Sequence, residues 1–293
     1  MNQIKAHWKL YLIVVLICLN VFVWSLVRSR TPRDYVTVSY LDVGQGDSIL
    51  IESKNRNRIL IDGGPNNKIL GALGSMLPFF NNDIDVVLES HPDSDHIGGL
   101  PEVVSRYTVK NFIEPGVESP NTVDDELHGR IEGKNIPHYL ARAGEQIDMG
   151  DGSYVKILFP DRDVSGLETN DASIVAQYWY GDTCFLFTGD SPSKMEDYLV
   201  SKYKDALKCN VLKAGHHGSR TSTDNLYLDT VKPSIAIISA GKGNSYGHPH
   251  KETIERLRAH GIEILSTIEK GTISLISDGK IITEKSKSLI YFP

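Results

Sequence analysis

Residues Ile84 to Gly99 read IDVVLESHPDSDHIGG, an apolar run ending at Ser90 and then His91, Asp93, Asp95 and His96 in quick succession. A continuous apolar run of this length suits a strand buried on both faces, so the polar residues fall in the loop where the strand stops. A loop can turn alternate side chains inward, and four imidazole and carboxylate groups can then converge on one small volume. Such ligands suit zinc, manganese or iron, and no thiolate forces zinc. Gly98 and Gly99 allow a tight exit into the next helix, whose N-terminal amides would favour an anionic substrate.

Before this loop, VTVSYLDV, DSILIES and RILIDGG read as strands joined by tight turns, and KILGALGSMLPFF carries helical spacing. After it, VKILFP, ASIVAQYWYG and TCFLFTGD read as strands. PSKMEDYLVSKY is a helix, NVLKAG a strand, TSTDNLYLDTV a helix, PSIAIIS a strand, KETIERLRAHG a helix, and IEILST, GTISLIS and GKIITEK are strands. Strands in both halves with helices between them predict an α/β, four-layer αββα sandwich: two sheets face to face, covered outside by helices. Residues 116–150 are polar and Gly-rich, broken by Pro120 and Pro137, and read as a loop-rich excursion with His128 and His138 facing solvent. Cys184 and Cys209 stand singly in strand-like runs and read as small core residues, with no spacing that suggests a disulfide framework or a thiolate metal site.

Leu10 to Val27, LYLIVVLICLNVFVWSLV, carries no charge and with its flanks reaches across a hydrocarbon core of about 30 Å. The RSRTPR that follows offers no small-residue cleavage site, and Lys5, Lys9, Arg28, Arg30 and Arg33 bracket the segment. Residues 1–33 therefore read as an N-terminal transmembrane helix with basic flanks, and 34–293 as one globular domain. The flanking charges are too nearly balanced to set the orientation. Five of the 31 Lys and Arg residues and none of the 37 Asp and Glu residues fall within 1–33, so the domain is acidic by about eleven charges. That composition argues against tight, sequence-independent adhesion to nucleic acid, with bound dications offsetting part of the charge locally.

Three more fragments put polar groups where a strand stops: Asp190 in TGD, His216 and His217 in AGHHGS, and Tyr246 and His248 in NSYGHP. Together with His91 to His96 they point to one rim of the sheets. HPDSDHIGG resembles the H-x-[HD]-x-D-H signature of the metallo-β-lactamase superfamily, LIDGG (Asp62) its first motif and TGD its bridging-aspartate motif. LDVGQGDSILI, NDASIV, KAGHHGS and SAGKGNSYGHPH bring the chain closer to the soluble domain of ComEC-type DNA-internalisation competence proteins, in the right order over residues 35 to 278.

That resemblance implies the metallo-β-lactamase fold and a divalent-metal centre of Zn or Mn, with one or two ions per chain. His91 and Asp93 would serve one position; Asp95, His96 and a histidine of the HHGS pair would serve the other, His216 being favoured over His217. Asp190 would bridge them and Asp62 would steady a ligand. Asn170 stands near the place of the superfamily's third-motif histidine, and a neutral amide there leaves the first position weaker. Asp42, Gln45 and Asp47 either lie near the site or simply form a turn. The implied reaction is metal-assisted hydrolysis, with Asp95 or Asp190 taking a proton from water and His248 protonating the leaving group or binding phosphate. A phosphodiester, single-stranded DNA handled outside the membrane, is the implied substrate. A chain with one apolar segment forms no polytopic channel by itself, so a separate channel protein or an independent surface role is expected. The alternatives are hydrolysis of a small ester, lactone or phosphocholine-type group, and a metal-binding module without turnover.

Overall fold

The computed structural model describes residues 2–78 and 81–285; Phe79 and Phe80 of the KILGALGSMLPFF run, Met1 and residues 286–293 lie outside it. Helix α1 (Asn2–Arg30) comes first. Its His7–Arg28 stretch is long and apolar enough to cross a membrane, and residues such as Leu12, Ile17 and Trp24 are exposed around it. A helix apolar on all sides with no protein core around it suits lipid.

Strands β1 (Val36–Tyr40), β2 (Ile49–Glu52) and β3 (Arg58–Ile61) form an antiparallel meander. Next come α2 (Lys68–Met76), the short β4 (Asp83–Ile84), β5 (Val86–Leu88), α3 (Ser94–Ile97), α4 (Leu100–Arg106), the short β6 (Thr108–Val109), β7 (Phe112–Glu114), α5 (Thr122–Gly133) and β8 (His138–Leu140). From β3 to β8 the sheet neighbours run parallel. The chain then crosses to a second sheet: β9 (Gln146–Asp148), β10 (Tyr154–Phe159), β11 (Val175–Tyr180) and β12 (Thr183–Phe187) are antiparallel. After α6 (Ser193–Tyr203), β13 (Val211–Lys213), α7 (Asn225–Val231), β14 (Ile235–Ile238), α8 (Lys251–Ala259) and β15 (Glu263–Ser266) complete it in parallel. Past α9 (Thr267–Lys270), β16 (Ile273–Ser277) and β17 (Ile282–Glu284) return to the first sheet. The sheet orders are β17-β16-β1-β2-β3-β5-β7-β8 and β15-β14-β13-β12-β11-β10-β9.

Three apolar clusters account for four layers. Val38, Ile51, Ile59, Tyr178, Phe185 and Ile237 fill the space between the sheets. Leu60, Val87, Leu73, Val103 and Leu127 join the first sheet to its helices, and Leu186, Leu212, Leu199, Leu228 and Leu257 do the same for the second. Each central strand is buried on both faces, which is why its sequence is apolar without alternation.

Two readings of the sequence need correction. Residues 116–150 are not mainly loop. They form α5, β8 and β9, because Asn121 caps α5 by accepting from Val123 N and the helix buries Leu127 and Ile131 against the first sheet. Cys184 and Cys209 are disulfide-bonded, with 4.8 Å between Cα atoms. Cys184 lies on β12 and Cys209 just before its parallel neighbour β13, so the crossover through α6 brings together residues 25 apart in sequence.

Candidate metal centre

The site is assembled where strands end. β5 runs into His91–His96, β12 into Asp190, β13 into His216 and His217, and β14 into the segment carrying His248. The first of these loops is fixed by glycines: a Cβ on Gly98 would strike the Pro65 carbonyl and one on Gly99 that of Gly63, so only glycine lets this loop lie on the 63–66 turn.

Asp190 is central. Its Oδ1 lies 3.3 Å from His96 Nε2, and its Oδ2 lies 3.4 Å from His217 Nε2 and 3.5 Å from His216 Nε2. His217 Nε2 is also 3.2 Å from Asp95 Oδ2. On the other flank, His91 packs ring to ring on His96 at 4.1 Å, with its Nε2 3.7 Å from Asp93 Oδ2. His91, His96, Asp190 and His217 are buried, whereas Asp93, Asp95 and His216 are partly open to solvent.

Behind each buried ring stands an acceptor or hydroxyl. Asp62 accepts from Ser90 N and Ser90 Oγ, both at 2.7 Å, and faces His96 Nδ1 at 2.8 Å. Ser90 Oγ lies 3.0 Å from His91 Nδ1. His217 Nδ1 faces the Ser239 carbonyl at 3.0 Å and Asp47 Oδ1 at 3.3 Å, and the other Asp47 oxygen pairs with Lys213 Nζ at 2.7 Å. Asp47, His96, Asp190 and His217 thus form a buried cluster with metal-ligating chemistry. Within it, Asp47 sits on the Nδ1 side of His217, away from Asp190, so it orients the ring.

The inward atoms fit a cation. His91 Nε2, His96 Nε2, His217 Nε2 and Asp190 Oδ1 are all buried without a hydrogen-bond partner. Burying that many unpaired polar atoms costs about 1–3 kcal/mol each unless something meets them. The 3.2 to 3.4 Å separations of His96 from Asp190 and of His217 from Asp190 and Asp95 are those of neighbouring ligand atoms around an ion with bonds of about 2.0–2.1 Å, one Asp190 oxygen facing each histidine. Burial opposes ionisation of both carboxyls, yet His217 and His96 hold Asp190 well below the ordinary carboxylate range and Asp95 below it too.

At the rim, His248 is buried, with ring contacts to His216 at 5.3 Å and His250 at 4.8 Å, and its Nδ1 lacks a partner. Burial and the charges of His216, His217 and His250 push it down to about 4. The Tyr246 ring lies nearly parallel to His248 at 5.7 Å and is 65% exposed. Asn170 begins a short 3-10 turn, with its Oδ1 buried and unpaired. Asp42 Oδ1 caps Gly44 N, and Gln45 Oε1 accepts from Gly241 N, so these two hold loops.

His217 is the member of the HHGS pair in the buried cluster. His216, favoured from the resemblance, is the half-exposed one. The motifs do not point to Lys213, although a lysine inside the buried run NVLKAG signals a buried carboxylate partner.

A sequence profile described as the metallo-beta-lactamase superfamily matches residues 41–242. The chain is 30% identical over 253 residues to ComE operon protein 3 of Bacillus subtilis and 32% identical over 253 residues to competence protein ComA of Neisseria gonorrhoeae. The matches cover 80% and 83% of this chain and 32% of each relative, so the chain spans about a third of their length. Among solved structures, CmlA, a diiron beta-hydroxylase from Streptomyces venezuelae, superposes with a TM-score of 0.54 at 15% identity, over 84% of this chain and 54% of that one. The metallo-beta-lactamase fold protein YhfI from Bacillus subtilis superposes with a TM-score of 0.50 at 10% identity, over 86% of this chain and 100% of that one. At such identities the likeness is one of fold alone.

Proposed function

Because the chain belongs to the metallo-β-lactamase superfamily of metal-dependent hydrolases and is similar to ComEC-type competence proteins, we propose that residues 34–293 hydrolyse a phosphodiester, while residues 1–33 hold them at the cell membrane. Single-stranded DNA is the substrate class and a separate channel protein the expected partner. The observation that carries this reading is that the unpaired Nε2 atoms of His96 and His217 both face Asp190, with the unpaired Nε2 of His91 beside Asp93.

Asp95, His96, Asp190 and His217 would hold one Zn or Mn ion, and His91, Asp93 and a share of Asp190 a weaker second. A dication held there would supply an acidified water and polarisation of the scissile phosphoryl oxygen. The chain's residues do the rest. Asp95 or Asp190, as a carboxylate beside the place of the attacking water, can take its proton. His248, neutral at pH 7, can donate its ring N–H to a phosphate or leaving-group oxygen. Tyr246, exposed beside it, offers a stacking face for a base.

The test uses the full chain in detergent, stripped by chelator and refilled with Zn²⁺ or Mn²⁺. Cleavage of a phosphodiester ester and of a single-stranded oligonucleotide should return only with metal. Reloaded protein that cleaves neither ends this reading, and one that opens only lactones or carboxylic esters shifts it to a small-ester hydrolase.

The Cys184–Cys209 bridge supports placing the domain outside the cytoplasmic membrane, where disulfides persist. In intact spheroplasts, added protease should digest residues 34–293, and a maleimide should reach the two cysteines only after reduction. Full protection, with lysed controls digested, would reverse the orientation.

A further inference from the structure

A second group of metal-ligating side chains lies at the β8 edge of the first sheet. His138 is the register partner of Phe112, and Glu114 is two residues further along β7, so all three share one sheet face. Helix α5 covers that face and delivers His128. Glu114 Oε2 lies 2.9 Å from His128 Nε2, and Glu114 Oε1 lies 2.9 Å from His138 Nε2. One ligand atom from each residue falls within 4.8 Å of the other two. Phe112, fully buried, floors the group, its ring centroid 6.0 Å from that of His128 and 5.4 Å from that of His138. Both histidines are 35% exposed on their outer side, where a cavity of about 470 Å³ opens.

We propose that Glu114, His128 and His138 bind a divalent transition metal of the zinc type, with water completing the coordination. Two imidazoles and one carboxylate with an open outer position form a recurrent zinc ligand set. One further contact points to a cation here. His128 turns its other nitrogen to Asp124, 3.0 Å from the carbonyl and 3.1 Å from Oδ1, the back-side contact that fixes a ligating imidazole. The carboxylates of Glu114 and Asp124 therefore flank two imidazoles in a half-closed pocket.

Such an ion would clasp α5 to the sheet edge, and α5 touches the other site. Its cap, Asn121, donates from Nδ2 to the Pro92 carbonyl at 2.9 Å and to Ser94 Oγ at 3.1 Å, inside the His91–His96 loop. A filled edge site would steady the wall that carries Asp93. This assignment is independent of the substrate proposed above.

The test is equilibrium dialysis of the full chain in detergent against zinc alone, read by elemental analysis. His138→Ala should bind one zinc fewer per chain than the parent. Asp124→Asn, which keeps all three ligands, should weaken that same ion by about 10–100-fold. Since His138 is partly exposed on an edge strand, its loss should leave the fold intact, and His138→Gln, tested beside it, keeps the result interpretable if the alanine variant does not fold. Equal zinc content in the parent and a folded His138 variant overturns the proposal, as does an Asp124→Asn protein whose edge zinc keeps its full affinity.

Discussion

The His96–Asp190–His217 cluster and the Glu114–His128–His138 cluster use the same kinds of side chain and differ in what faces the inward atoms. In the central cluster the Nε2 atoms of His91, His96 and His217 have no hydrogen-bond partner, while Asp62, Asp47, the Ser239 carbonyl and Ser90 Oγ hold the rings from behind. In the edge cluster the inward nitrogens already meet Glu114, which satisfies itself on two histidines at once. The central group is held open by its scaffold, at the cost of buried unpaired atoms. The edge group can close without a cation. A site built to hold reactants in fixed geometry needs the first arrangement, and a clasp works with the second.

The largest effect should come from removing the shared carboxylate. Asp190→Ala takes away the group that meets both His96 and His217, so metal-dependent phosphodiester cleavage should fall by more than the roughly 100-fold expected for losing a supporting partner. Zinc at Glu114, His128 and His138 should remain, as counted by dialysis with and without His138→Ala. If Asp190→Ala empties both clusters, the two are coupled and the contrast drawn here fails.

A smaller effect isolates the scaffold. Lys213 and Asp47 are a fully buried ion pair at 2.7 Å, and Asp47 in turn faces His217 Nδ1. Lys213→Met strands a buried carboxylate, so the melting transition should drop by the equivalent of about 3–5 kcal/mol. Affinity for the central metal should weaken by about 10–100-fold. Adding Asp47→Asn removes the stranded charge and should recover part of the stability without recovering the affinity. If affinity stays at the parent level while stability falls, the pair is structural only and the ring needs no such support.

What the sequence disclosed follows from locality. The His91–His96 ligands are nearly contiguous, Asp190 and the His216–His217 pair sit just past apolar strands and His248 in the loop after another, so strand ends gather these segments without telling which histidine of the pair turns inward. The four layers were legible because strands buried on two faces leave unbroken apolar runs. The edge cluster was not, because its members lie 14 and 10 residues apart on a strand, a helix and a strand, and only the parallel β7–β8 register brings them together. The same holds for Cys184 and Cys209, joined across β12 and β13. Helix α5 could have been found: Asn121 as cap and Val123, Leu127 and Ile131 at four-residue spacing are a helix signal that the flanking prolines and glycines outweighed.

The last prediction probes how far behind the central cluster its support extends, through a change that leaves every ligand in place. Glu196, fully buried on α6, accepts from Thr223 N at 2.6 Å and from Asp224 N at 3.1 Å. Thr223 Oγ1 then accepts from Gly215 N at 3.0 Å, and Ser222 Oγ donates to Gly215 O at 2.7 Å, so this carboxyl stands two steps behind the turn that presents His217. Burial raises Glu196 to about 8, with nearby Asp224 adding to the rise and the two backbone donors opposing it. Its unfolded value lies near 4.5, so between about pH 4.5 and 8 the folded chain holds one more proton than the unfolded chain. The stability this contributes is fully present below the unfolded value and is lost as pH rises through the folded one, a change of roughly a few kcal/mol. Glu196→Gln cannot titrate, so the gap between parent and variant melting temperatures should narrow or reverse from pH 5 to pH 8.5 as the parent loses that contribution. Parallel melting curves over this range would mean that the two amides keep the carboxylate charged throughout, making Glu196 a fixed acceptor for the 222–224 turn and leaving His217 supported independently of pH.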